Sequence, residues 1–533
     1  MREKELRIAL VCFGGVSLAI YMHGITKEIL KLVRASSALH LITDRRKRAA
    51  ARFFDRFDAK DPEFDTEEFY FELLRDIGAT VDLRVIVDII AGASAGGING
   101  TMLARAIAHD LRMDKLRNLW LYNADVTVLL APEARATAWS KWFIKPFIWA
   151  GAKYGLAPIA DAEVRRNLSL FLRSRWFKPP LDGGVMDALM YDAVTAMDVR
   201  QDPRASLLPA SLSLDLFVTL TDYHGYSQVV PIHDPPMIHE VEHHHVLRFT
   251  YKRSAGGVVE SDLAAGNAPA LAFAARATSS FPGAFPPARI VEMDALVARR
   301  KAAWPARDSF IAHNFDGHRM AGIDPATASF IDGSVLNNRP FREAISAIHG
   351  RPAYRQVDRR LVYIDPDPTP LAALPRQTIP GFFSTLRGAM SDIPRTQPVT
   401  DELTWVTEFN DLVGRLRAII DNARPHVSDL VDATIAMPLD QPIAEAQLRS
   451  WREQVNATVA RNAGFAYEGY VRLKLASVRE FVCEVIVKLR DVPKKSPLAA
   501  AIAAIIDVWA QQRGLVYDKA DGEVLRAETA AST

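Results

Sequence analysis

Twice in this sequence an apolar run of strand length enters a glycine-rich turn and leaves it as a helix-periodic stretch, and that unit leaves few folds open. Leu6 to Phe13 runs into Gly14-Gly15, after which Leu18, Met22, Ile25, Ile29 and Leu32 recur on one helical face. Val81 to Ile90 runs into Ala91-Gly-Ala-Ser-Ala-Gly-Gly-Ile-Asn-Gly100 and then a helical stretch to about Ala108. Further strands are expected at Leu214 to Thr221, Leu247 to Tyr251, Phe330-Ile331 and Leu361 to Ile364, with helices between them. Strands alternating with helices predict an α/β domain whose mostly parallel sheet is covered on both faces.

From about residue 376 strand-like runs disappear and helical patterns take over, at Glu402 to Ile419, Ala444 to Ala463, Val471 to Leu489 and Leu498 to Gln512. Prolines 366, 368, 370, 375 and 380 punctuate the join. The expected organisation is therefore an α/β domain over 1–375 and an α-helical domain over 376–533. Within the first, residues about 34–80 read as an insertion of helix plus loop with a solvated charged face, and residues about 110–200 as a helical segment rich in aromatics.

A chain of 533 residues can bury a sizeable core, and 65 Lys plus Arg against 63 Asp plus Glu argues against a general nucleic-acid binder. Cys12 and Cys483 stand alone, which excludes a disulfide framework or a cysteine-based metal centre and suggests a reducing, cytoplasmic compartment. No apolar run reaches the length of a spanning helix. The stretch Ile8 to Met22 follows a charged start as a signal peptide would, but Gly14-Gly15 interrupts it and no small-residue cleavage site follows.

Gly92-Ala93-Ser94-Ala95-Gly96 matches G-x-S-x-G in the context that gives the pattern meaning. An apolar strand leads in and a small-residue helix leads out, so Ser94 would sit exposed on a sharp turn at the carboxyl end of the sheet. Small residues are required there because strand and helix approach closely, and the helix N-terminus adds donors near a developing oxyanion. The rival reading is a βα turn that holds a phosphate or nothing. A serine nucleophile needs a base, and Asp332, followed by Gly333-Ser334 at the end of a short strand, could bring a carboxylate to the same edge; an ordinary Asp-Gly turn is the plainer alternative. Gly14-Gly15-Val16 could aim backbone amides at an oxyanion, whereas a dinucleotide loop fails there on glycine spacing.

Phe13-Gly-Gly-Val-Ser17, Gly92-Ala-Ser-Ala-Gly96, Ala277-Thr-Ser-Ser-Phe-Pro-Gly-Ala-Phe-Pro-Pro287 and Asp332-Gly-Ser334, in that order, resemble the patatin-like phospholipase family. The run Gly14 to Gly24 with a helical C-terminal extension is similar to its bacterial patatin-related subgroup. The resemblance covers roughly residues 6 to 370. It implies a three-layer α/β domain and a serine lipid acyl hydrolase of phospholipase A or lysophospholipase type. It further implies a Ser-Asp dyad without histidine: Ser94 as nucleophile on an elbow framed by Gly92 and Gly96, Asp332 as base, and the Gly14, Gly15 and Val16 region as oxyanion hole. The chain departs from the family in carrying Ser17 where Arg or Lys is usual and Asp-Gly-Ser where Asp-Gly-Gly or Asp-Gly-Ala is usual.

No metal or organic cofactor is required by that chemistry. His239-Glu-Val-Glu-His243 matches the zinc-protease pattern H-E-x-x-H, but Pro235-Pro236 before it and the alternating Leu247, Phe249, Tyr251 after it point to a polar loop or strand edge. A Ser-Asp-His triad completed by His349 is the nearest mechanistic rival, and a non-catalytic lipid-binding or regulatory protein the non-enzyme one. Aromatic residues from Trp139 to Phe177, interleaved with Lys141, Lys145, Arg173 and Lys178, fit either a packed cap or a headgroup-level interface. The expected partners are thus a phospholipid or other acyl ester and a membrane surface touched peripherally, with no nucleic acid and no protein partner indicated.

Overall fold

The computed structural model describes residues 2–15, 19–55, 65–118, 120, 122, 126–132, 179–197, 205–231, 237–254, 256–366, 399–435, 443–462, 465–490, 492 and 496–513. The chain divides into two compact units, Met1–Leu403 and Thr404–Thr533.

Seven strands form one sheet in the first unit: β1 (Arg2–Cys12), β2 (Val81–Gly92), β3 (Ser213–Pro231), β4 (Met237–Arg253), β5 (Val259–Ser261), β6 (Phe330–Asp332) and β7 (Gln356–Ile364). Their order is β5-β4-β3-β2-β1-β7, with β6 paired to β3. The four strands β7, β1, β2 and β3 run parallel, and β4, β5 and β6 join antiparallel. Helices α1 (Ala19–His40), α2 (Glu67–Ile77), α3 (Ala95–His109), α4 (Gly183–Ala196), α5 (Ala268–Thr278) and α6 (Phe341–Ser346) cover it. The residues of β1 alternate between faces. Leu10 and Cys12 enter the main core with Met22 and Leu30 of α1 and Met102 of α3. Phe13, on the opposite parity, meets Phe341 of α6 edge-on with ring centres 5.7 Å apart. The result is the helix, sheet, helix layering that the alternating pattern forecasts.

Helices α3 and α5 consist largely of alanine, glycine and other small residues, so they can lie close against the sheet and be buried nearly all round. The charged segment after α1 is exposed over Arg45–Ala50 apart from the half-buried Arg48. Arg48 donates to both oxygens of Asp82 at 2.9 Å, tying a short helix (Arg45–Ala50) to the start of strand β2. His239 to His245 lies within β4, where residues four apart stand roughly 13 Å apart along the strand, so the helical geometry that H-E-x-x-H needs is not formed. The aromatic and basic residues from Trp139 to Lys178 lie outside the described residues, as do Val16 and Ser17.

After residue 399 the described chain is helical, in α7 (Thr400–Thr434), α8 (Glu445–Asn462), α9 (Phe465–Leu489) and α10 (Pro497–Gln512). α9 and α10 pair through buried Val487, Ala499, Ile506 and Ala510 and through an Arg479–Asp507 ion pair at 3.0 Å. Among the described residues no helix is long and apolar enough to cross a membrane.

Candidate active site

Strand register brings the motifs to one edge. Cys12 pairs with Gly92 on one side and with Ile364 on the other, and Gly92 pairs with Val218, so the residues that follow each parallel strand emerge together. Gly14-Gly15 and Ser94 are each the next two or three residues out. Asp332 arrives by another route. β3 runs on past that edge, and β6 comes back along it antiparallel, ending with Asp332 opposite Leu220 at the level of the elbow. Asp332 thus stands at the end of a short strand, as the sequence predicts, and that strand runs antiparallel to β3.

Ser94 holds φ 51° and ψ −125°, a conformation that a residue with a side chain adopts only when its surroundings impose it. The surroundings are glycines. A Cβ on Gly92 would stand 2.5 Å from the Gly96 carbonyl oxygen, and one on Gly96 would strike the Cys12 carbonyl, so strand and helix can approach this closely only without side chains there. Thr278, at the end of α5, receives the Ser94 N–H at 2.8 Å and donates its own hydroxyl to the Thr219 carbonyl at 2.8 Å, which fixes the elbow from behind.

Out of that turn Ser94 Oγ donates to Asp332 Oδ2 at 2.8 Å. Ser334 N–H donates to the other carboxylate oxygen at 2.8 Å, which sets the plane of the Asp332 side chain. Both residues are buried, Ser94 at 1% and Asp332 at 0% exposure, so the bond forms out of contact with bulk water, where it is electrostatically stronger. Cys12 contributes no second nucleophile. Burial pushes its thiol up to about 12.

Residues 69–345, just over half of the chain, match the family model for patatin-like phospholipases. The chain belongs to that family. A patatin-like chain is thus what the strand-turn-helix units, the elbow and the late Asp-Gly turn together specify. It is also similar to a protein of Mycobacterium tuberculosis (strain ATCC 25618 / H37Rv) described as "uncharacterized membrane protein Rv3479", at 27% identity over 418 residues. That stretch is 76% of this chain and 32% of the relative, so the patatin-like chain spans about a third of that protein's length. No solved structure matches it.

Within the glycine loop the Gly14 N–H is turned to Asn338, donating to its side-chain Oδ1 at 3.0 Å and to its backbone oxygen at 3.3 Å. Gly15, packed against Pro366, keeps an N–H with no acceptor among the described residues. The amide of Ala95 opens α3 and, as a first-turn amide, has no intrahelical acceptor. His349 lies elsewhere. It lines a cavity with Ser213, Asp215 and Arg351 near the start of β3, at the amino end of the sheet and opposite to the elbow. Thr278 and Asn338 were not among the residues picked out by the sequence. The first sits inside the Ala277-Thr-Ser-Ser run, and the second in Asn337-Asn-Arg-Pro340, whose asparagines before a proline mark a turn and nothing more specific.

Proposed function

We propose that this chain is a serine lipid acyl hydrolase working through a Ser94–Asp332 dyad. The observation that carries the reading is the 2.8 Å hydrogen bond from Ser94 Oγ to a buried carboxylate, made by a serine on a strained elbow at a helix N-terminus. Ser94 Oγ attacks the ester carbonyl and Asp332 Oδ2 takes its proton. The tetrahedral oxyanion is met by the amides of Gly15 and Ala95, with Val16 next in the loop. Asp332 returns the proton to the leaving alcohol, and an acyl-enzyme remains on Ser94. Water, deprotonated by the same carboxylate, attacks that ester, and the fatty acid leaves as Ser94 regains its proton.

Family membership supports a lipid ester as substrate, of phospholipase A or lysophospholipase type. A peripheral approach from the cytoplasmic side, aided by the Trp139 to Lys178 segment, is the matching mode of access for a protein with no membrane-crossing helix among its described residues. A triad through His349 is disfavoured by the position of that histidine at the opposite end of the sheet.

A fluorophosphonate probe tests the nucleophile directly. Peptide mapping by mass spectrometry is expected to place the adduct on Ser94 and to find none in Ser94→Ala. An adduct on another residue, or an unlabelled but folded wild type, would remove Ser94 from its role.

A further inference from the structure

The piece of chain that carries Asp332 also holds the glycine loop. After Asp332 the backbone turns through Gly333–Val335 and reaches Asn338, which is buried at 7% exposure. Its Oδ1 and its backbone oxygen both accept the Gly14 N–H, at 3.0 and 3.3 Å. A Cβ built on Gly14 would collide with Asn338 Oδ1 and stand 3.1 Å from the Cβ atoms of both Ser94 and Ser334. Nucleophile, glycine loop and carboxamide therefore share one small volume.

We infer that Asn338 is a positioning residue for ester hydrolysis, a role that rests on the reading of Ser94 as nucleophile. Its carboxamide holds the Gly14 N–H, in the peptide unit just before the one that carries the Gly15 N–H, and so sets the course of the loop that turns the Gly15 N–H to the oxyanion formed at Ser94. Two consecutive glycines have more backbone freedom than any other pair, and an oxyanion hole works by having its donors aimed before charge develops. An anchor on the Gly14 N–H restricts that freedom one peptide unit before the donor. A neutral acceptor suits the place, because a carboxylate there would repel the oxyanion. Since Asp332 and Asn338 belong to one short segment, the same stretch of backbone sets both the base and the donor against Ser94.

The full chain is compared as wild type, Asn338→Ala, Asn338→Asp and Ser94→Ala on a short-chain p-nitrophenyl ester. Removing an oxyanion donor costs about 10²- to 10³-fold in kcat, so mispositioning one in Asn338→Ala is expected to cost at least ~30-fold, with KM within about threefold. Inhibition by an acyl trifluoromethyl ketone, which forms an oxyanion on serine, weakens by the same factor as kcat/KM, while binding of the matching ether lipid is unchanged. A purely structural role would not produce that split. Asn338→Asp keeps an acceptor for Gly14 but sets a charge beside the oxyanion; it is expected to show the same loss of kcat at an unaltered melting temperature, and it serves if the alanine variant does not fold. A folded variant of either kind that keeps kcat within about twofold, or loses activity only through KM, overturns the role of Asn338. A wild type that hydrolyses no ester, or an active Ser94→Ala, overturns the nucleophile itself, and the positioning role with it.

Discussion

The one oxygen on which the proposed chemistry depends is held from two sides. Thr278 fixes the Ser94 amide, and Asp332 receives the Ser94 hydroxyl with a carboxylate whose second oxygen is already committed to Ser334. A carboxylate oriented in this way turns Oδ2 to the serine hydroxyl, the position that a general base requires. Replacing it by a carboxamide removes the base and leaves the shape. Asp332→Asn is therefore expected to lower kcat at least ~100-fold, the lower end of what a general base contributes, while His349→Ala stays within about twofold. Steady-state rates on one soluble ester decide it: a collapse in His349→Ala with Asp332→Asn near wild type would install the triad instead.

Among the elements, legibility followed burial. β2 and the inner half of β1 are apolar because the sheet covers them, and they read as strands at once. The outer half of β1, Arg2 to Glu5, is charged and still a strand, because Val81 to Arg84 supply a ladder for it. β7 shows only Leu361 to Ile364 as a strand signal; its first half, Gln356 to Arg360, is polar because it lies at the edge of the sheet. Likewise β3 and β4 continue as a two-stranded ribbon to Pro231 and Met237, beyond the core, where exposed residues leave no alternation to read. The elbow was legible because its glycines are dictated locally, whereas Thr278 and Asn338 act across the fold and leave no local mark. The elements also bury groups that titrate. His245 on β4 is pushed down to about 3, by burial first and by neighbouring His318 second, and His23 on α1 down to about 4, by burial and then Lys27. Both lie below their unfolded value, so the unfolded chain binds more protons and stability is lost as pH falls from about 6.5 toward the folded values. Asp187 on α4, pushed up to about 6 mainly by burial, acts in the opposite sense, losing stability as pH rises from about 3.8 to about 6. Two histidines with larger displacements outweigh one aspartate. The melting temperature is expected to drop between about pH 6.5 and about pH 4.5, and His245→Phe to flatten that slope; an unchanged slope in the variant would show that His245 does not carry it.

At the scale of the whole molecule, a mixed sheet with four parallel strands places an elbow, a glycine loop and an antiparallel base at one edge, and the alternation of strands and helices foretold that edge. The helical region after the sheet was foretold by the loss of strand-like runs, and residues 69–345 of the chain carry the family match. The relative's description as a membrane protein belongs to a chain of which the matched stretch is 32%, and among this chain's described residues no helix is long and apolar enough to cross a membrane. The decisive measurement is fatty-acid release from phospholipid vesicles by the full chain, followed by mass spectrometry. The expected result is release by the wild type of one fatty acid per lysophospholipid formed, reduced at least ~10³-fold in Ser94→Ala, whose melting temperature matches the wild type. Undiminished release by a folded Ser94→Ala would contradict it.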